Sequence, residues 1–117
     1  MKFMLDTNTC IYAIKRESAR VIYRLRRTEV INVCISAVTL SELEYGVSKS
    51  SQPEKNKMAL GEFLASIRGA PYDDAAAGEY GRVRAHLEKQ GTPIGSLEVL
   101  IDAHALTLKC TLVTNNE

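Results

Sequence analysis

The chain has 117 residues, enough for one domain with a modest core. With 45% hydrophobic and 25% charged residues it has an ordinary globular composition. No apolar run approaches the roughly 18 residues that a membrane span needs, which excludes a helical membrane protein. A net charge of +1 does not announce a polyanion binder.

Residues 2–5 predict a short buried strand that delivers Asp6, Thr7 and Asn8 at its C-terminal end. The same opening makes a poor signal peptide, because Asp6 interrupts the apolar stretch, so a cytoplasmic location is expected. A short helix is expected from Cys10 to Lys15. Residues 15–27 then carry Lys15, Arg16, Arg20, Arg24, Arg26 and Arg27 against one acid, Glu17. Val21, Ile22 and Leu25 have helical spacing there, so the segment reads as a solvated helix face or as a tracker of phosphates.

Val30 to Ile35 is β-branched and apolar and predicts a second strand. Thr39 as N-cap, Glu42 three residues on, and Val38 with Leu43 as a staple predict a helix running to about Val47. Pro53 suits the first turn of the next helix, Phe63, Leu64 and Ile67 continue its apolar stripe, and Gly69 closes it. A short strand is expected over 70–72. Asp74 then caps a helix with Ala76, Tyr80, Val83 and Leu87 on one side, ended by Gly91. After the loop Gly91 to Gly95, Ser96 caps a helix whose buried side is expected to carry Leu97, Leu100, Ile101, His104, Ala105 and Leu108. Cys110 to Thr114 predicts a last strand, ending at Asn115 and Asn116.

Strands alternating with helices imply one α/β domain over 1–117, with a mostly parallel sheet covered on both faces. Ligands in such folds bind beyond the C-terminal ends of the strands, where Asp6 and Asn116 stand. Cys10, Cys34 and Cys110 show no metal spacing and read as buried free thiols.

Asp6, Glu42, Glu98, Asp102 and Asn116 all fall at strand ends or in the first turns of helices. Gathered carboxylates repel one another and call for a cation, and an oxygen-only donor set suits Mg²⁺ or Mn²⁺. Such an ion activates water and stabilises charge on a phosphodiester. Each acid also has a plainer reading. Asp6 can cap the following helix, Glu42 can be the capping-box partner of Thr39, and Glu98 sits where a helix dipole favours any acid. Asp102 lies one turn after Glu98 on the same side, a repulsive spacing without a cation. His104, on the buried side of its helix, reads as a packed residue, and no Ser/His/Asp set competes.

At these residues the chain resembles a family. Leu5-Asp6-Thr7-Asn8 is similar to the opening motif of PIN-domain nucleases, and Ser41-Glu42-Leu43-Glu44-Tyr45-Gly46 to their second. Gly91 to Glu98 followed by Ile101-Asp102-Ala103-His104-Ala105 resembles the third motif, and Leu112 to Asn116 the fourth. The order and spacing resemble VapC toxins along essentially the whole chain. The resemblance implies a three-layer α/β/α sandwich with four to five strands. It also implies a homodimer, Mg²⁺-dependent endonuclease activity on structured RNA, and neutralisation by a VapB antitoxin. The implied substrate is a tRNA cut in the anticodon loop, with initiator tRNA foremost. Carried over by position, Asp6, Glu42 and Glu98 form the acidic set, Asn116 assists, and Thr7 and Thr114 support; for the metal itself the expected ligands are Asp6 and Glu98, with Asp102 added from this chain's own sequence.

The sequence departs from the family pattern in three places. The third acidic position normally holds Asp, and Glu98 adds a methylene that shifts the carboxylate by roughly an ångström, enough to cost about a hundredfold in rate. Asp102 stands where a small apolar residue is usual. The family's chain continues past Asn116, so a C-terminal piece is expected to be absent. A PIN domain with a blunted site, binding antitoxin or RNA without cutting, is the alternative reading. An aspartyl-phosphate phosphatase is disfavoured, because Asn8 stands where a second acid belongs.

Overall fold

The computed structural model describes residues 3–15, 25, 27, 30–65, 67–92 and 95–114. Its spine is β1 (Phe3–Leu5), which pairs in parallel with β2 (Val33–Ser36) on one side and with β4 (Thr111–Val113) on the other. β3 (Arg68–Ala70) adds to β2, giving the parallel order β3-β2-β1-β4. Met4 lies opposite Cys34 and Leu112, so these three side chains share one face.

Five helices fill the connections among the described residues: α1 (Thr7–Lys15), α2 (Ala37–Lys49), α3 (Pro53–Leu64), α4 (Asp74–Lys89) and α5 (Ser96–Thr107). A 3₁₀ turn at Val30–Asn32 precedes β2. The pleat divides the core in two. Leu5, Val33 and Ile35 meet Cys10, Leu43 and Leu60 of α1, α2 and α3 on one face. Met4 and Cys34 meet Ile101 and Ala105 of α5 on the other. α4 packs along α5. The three-layer α/β/α sandwich is therefore present, with four strands among the described residues. Covered on both faces, β2 is buried at every position, which is why it reads as an unbroken apolar run.

Several element ends differ from the sequence reading. α1 begins at Thr7, three residues before Cys10, because the Asp6 carboxylate accepts the Thr9 N–H at 2.8 Å and starts the helix there. The N-cap of α2 is Ser36, whose hydroxyl accepts from Val38 N–H at 3.0 Å; Thr39 is inside the first turn and fully buried. Likewise Asp73, not Asp74, caps α4, and Gly95 precedes α5, so Ser96 is its first helical residue. The third strand covers 68–70 instead of 70–72, and Gly69 lies in it opposite Ile35. Pairing with the open edge of β2 outweighs the weak strand preference of glycine. Leu97, expected inside, is 49% exposed, while Val99 and Ala103 are buried. Residues 16–24, Pro93 with Ile94, and Asn115 with Asn116 lie outside the described residues. Among the described residues no helix is long and apolar enough to cross a membrane.

Cys10 and Cys34 are buried free thiols as expected, whereas Cys110, expected buried, is half-exposed just before β4. Burial, then the charge of Asp6, raises the Cys10 thiol pKa. Burial, then Cys110, pushes that of Cys34 up to about 12.

Ile35 is fully buried at the centre of one half-core. Ile35→Ala is expected to lower unfolding free energy by about 2–5 kcal/mol, and Ser36→Ala by about 0.5–2 kcal/mol through the lost cap, both read from urea denaturation midpoints.

Candidate active site at the ends of the parallel strands

Asp6 stands one residue beyond β1. Its N–H bonds the Val113 carbonyl at 3.1 Å, carrying the β1–β4 pairing one step past the strands. Its carbonyl accepts from Cys10 N–H at 3.1 Å, and its Oδ1 from Thr9 N–H. The Thr9 hydroxyl, buried, donates to the same Val113 carbonyl at 3.1 Å. Asp6 is thus anchored through its backbone N–H and carbonyl, while one carboxylate oxygen accepts the Thr9 N–H and the other is unclaimed among the described residues.

Thr7 follows, and its hydroxyl donates to Glu42 Oε1 at 2.6 Å. The bond joins the first turn of α1 to α2, across 35 residues of sequence. Glu42 therefore faces Thr7, and the capping-box reading does not hold, because Thr39 is not the cap.

α5 contributes the other two acids. Glu98 is exposed in its first turn and curls back toward the helix start; a Cβ on Gly95 would lie 3.9 Å from its carboxyl carbon. Asp102 is half-buried. Burial, then the charges of Glu98 and Asp6, push its carboxyl above the usual aspartate range. It has no hydrogen-bonding or cationic partner among the described residues. Asp6, Glu42, Glu98 and Asp102 line one cavity of about 360 Å³, with Thr7 and Thr114 on its polar wall. Leu97, Ile101 and Leu112 make the apolar wall.

The donors are all hard oxygens at a site of mutual carboxylate repulsion, which fits Mg²⁺ or Mn²⁺. Among the described residues no three such side chains converge closely enough to enclose an ion alone. Mg²⁺ accepts that arrangement, since it keeps several waters and takes one or two carboxylates plus substrate phosphate.

His104 has a structural place. It is 1% exposed, with Nδ1 2.8 Å from Ser36 Oγ and its ring edge-on to Tyr72 at 5.4 Å. Burial lowers its pKa, against the opposing pull of Asp73 and a bond to the Pro71 backbone. The ring is thus tied to the Ser36 hydroxyl at the start of α2 and to the backbone of Pro71. Ser36 in turn accepts from Val38 N–H. This chain of bonds fixes the start of α2, one and a half turns before Glu42.

The PIN domain family profile matches residues 3–117. The "tRNA(fMet)-specific endonuclease VapC" of Shigella flexneri is 44% identical, over 99% of this chain and 87% of that protein. The chain belongs to the VapC branch of the PIN-domain family. "Ribonuclease VapC2" of Haemophilus influenzae is 38% identical over the same shares, 99% and 87%. In structure, DNA-bound VapBC of Salmonella typhimurium superposes with a TM-score of 0.93 at 40% identity, covering 99% of this chain and 87% of that one.

Against that VapC frame, Asp6, Thr7, Glu42, Glu98, Asp102 and Thr114, all singled out in the sequence, come together around one cavity. Asn116 lies outside the described residues. Sequence reasoning missed the tie from Thr9 to Val113 and the Ser36–His104 bond. The run Asp6-Thr7-Asn8-Thr9, with hydroxyls on alternate positions after a buried strand, was the available signal for the first.

The raised pKa of Asp102 has a sign. An acid bound more tightly to its proton in the fold penalises folding once pH exceeds its unfolded value, about 3.9, and the penalty is complete above the folded value. Without divalent ions, Asp102→Asn should therefore raise stability at pH 7, and the gain should vanish as pH falls below the ordinary aspartate range. Urea midpoints across pH, taken in EDTA, measure it; a gain that persists at low pH contradicts the assignment.

Proposed function

We propose that this chain is a Mg²⁺-dependent endoribonuclease toxin that cuts a tRNA, with the anticodon loop of initiator tRNA as the leading target. The observation that carries this reading is the gathering of Asp6, Glu42, Glu98 and Asp102 around one cavity beyond the C-terminal strand ends. The name of the Shigella flexneri relative, which specifies tRNA(fMet), supports the substrate.

Asp6 and the carboxylates that α5 brings to the cavity, Glu98 and Asp102, would form the site for Mg²⁺, with Mn²⁺ as a substitute. When bound, the metal supplies a water of lowered pKa and charge stabilisation at a phosphodiester. The chain's own residues do the rest. The Thr9 N–H holds one oxygen of Asp6, and the backbone bonds of Asp6 fix its Cα, which preorganises the carboxylate. The Thr7 hydroxyl ties one Glu42 oxygen and leaves the other to orient or deprotonate a water. The apolar wall of Leu97, Ile101 and Leu112 limits water on one side. Thr114, and Asn116 by sequence position, would hold the substrate backbone.

A VapB-type antitoxin is the partner we assign, and the chain would act as a homodimer in the cytoplasm. Two observations support the antitoxin. The solved relatives from Salmonella typhimurium and Rickettsia felis are VapBC complexes. An apolar groove of about 300 Å³ also runs between α1, α2 and α3, lined by Ile11, Ile14, Leu43, Val47 and Leu60, and it reaches Glu42. A partner seated there would touch the acidic cavity.

A domain with a blunted site, binding antitoxin or RNA without cutting, is the second reading, and the exposure of Glu98, the longer acid at the third acidic position, favours it. Incubation with total tRNA separates the two. Cleavage is expected with Mg²⁺, none with EDTA, and a loss of about 10²-fold or more in Asp6→Asn, since removing one preorganised electrostatic group costs on that order. No cleavage by the unaltered chain with Mg²⁺ would favour the blunted reading, and cleavage that survives Asp6→Asn would remove Asp6 from the mechanism.

A further inference from the structure

α5 presents two carboxylates to the cavity one turn apart, and they are not equivalent. Glu98 is exposed in the first turn of α5. Its side chain lies back over Gly95, with the carboxyl carbon 3.9 Å and Cγ 4.0 Å from where a Cβ on that glycine would sit. Asp102 is half-buried and lines the same cavity as Asp6. In a helix the Cα–Cβ bond tilts toward the N-terminus, so a side chain covers the turn before its own Cα. Glu98 follows that rule onto Gly95. Asp102, shorter by one methylene and one turn later on the same helix, lines the cavity together with Glu98.

We infer that Asp102 is the carboxylate of α5 that binds the divalent cation, and that Glu98 stands at the cavity rim without direct ligation. The inference rests on the metal-dependent reading above and divides the labour within it.

Three features favour Asp102 over Glu98. A short side chain fixed by a half-buried setting loses less conformational freedom on ligation than a longer, exposed one. Asp6 and Glu42 already have protein partners, Thr9 N–H and the Thr7 hydroxyl; Asp102 and Glu98 both lack one among the described residues, but only Asp102 is withdrawn from solvent beside the charges of Glu98 and Asp6. A carboxylate held near two others without a partner is a cost to the fold, and a cation would repay it. Finally, Glu98 reaches solvent freely, and its charge at the first turn of α5 is accounted for by the helix dipole.

The test is Mn²⁺ binding to the purified chain, followed by the loss of the free-ion electron paramagnetic resonance signal. It compares the unaltered chain with Asp6→Asn, Asp102→Asn and Glu98→Gln. Each variant is isosteric, and urea denaturation checks that each is folded. Asp102→Asn is expected to weaken Mn²⁺ binding about tenfold or more, the scale of loss seen even when only a supporting residue of a metal site is removed. Glu98→Gln is expected to change it less than about threefold, and Asp6→Asn to weaken it as Asp102→Asn does. A stronger or equal effect of Glu98→Gln overturns the division of labour but leaves the metal site standing, provided that Asp6→Asn still weakens binding. If the unaltered chain binds no Mn²⁺, or if Asp6→Asn leaves binding unchanged, the metal reading falls and the inference with it.

Discussion

Everything at the cavity depends on the position of β1 between two parallel neighbours. Three residues, Phe3–Leu5, hydrogen-bond to β2 and β4 at once and are covered by helices on both faces. A strand so placed cannot slip by one residue without turning its apolar side chains from one half-core to the other. Its end is therefore fixed, and with it Asp6, whose N–H continues the ladder to Val113. Thr9 closes on the same Val113 carbonyl, and Thr7 reaches Glu42, so one short segment sets the geometry of two acids.

The second constraint is electrostatic. Parallel strands aim their C-terminal ends, and the helix starts that follow, at a common region, and this chain places acids in that region from β1, α2 and α5. Partner donors relieve Asp6 and Glu42. Asp102 is left with burial and two like charges, and its raised pKa is the signature of that position. Strain of this kind is expected at a site organised for a cation and an anionic substrate more than at a site organised for stability. The buried bond between Ser36 and His104, with the Ser36 cap on Val38 N–H, anchors the start of α2, the helix that carries Glu42.

Much of this was legible in the sequence, because its signals are periodic or positional. The apolar runs at 2–5 and 30–35 predicted buried strands, which the structure has at 3–5 and 33–36 with 30–32 a 3₁₀ turn instead, and Pro53 marked the start of α3. The site acids were legible because they fall at the ends of those elements. What was not legible is the choice between neighbouring candidates. Ser36 and Thr39 are both good caps, as are Asp73 and Asp74, and the choice follows from where the preceding strand releases the chain. Gly69 reads as a helix stop, yet backbone pairing with β2 draws it into a strand. Leu97 has the spacing of a core residue but stands at the cavity, where α5 leaves the sheet. The Thr7–Glu42 bond spans 35 residues and follows from the packing of α1 on α2, which no local pattern encodes.

The central claim is that the carboxylates around the cavity bear a repulsion which a divalent cation relieves. A ligand that binds the folded state alone must stabilise it by mass action. The most direct measurement is the urea midpoint of the unaltered chain with increasing Mg²⁺, against NaCl at matched ionic strength. The account predicts a midpoint that rises with Mg²⁺ and saturates, beyond any effect of NaCl. Superimposable curves in the two salts would contradict it.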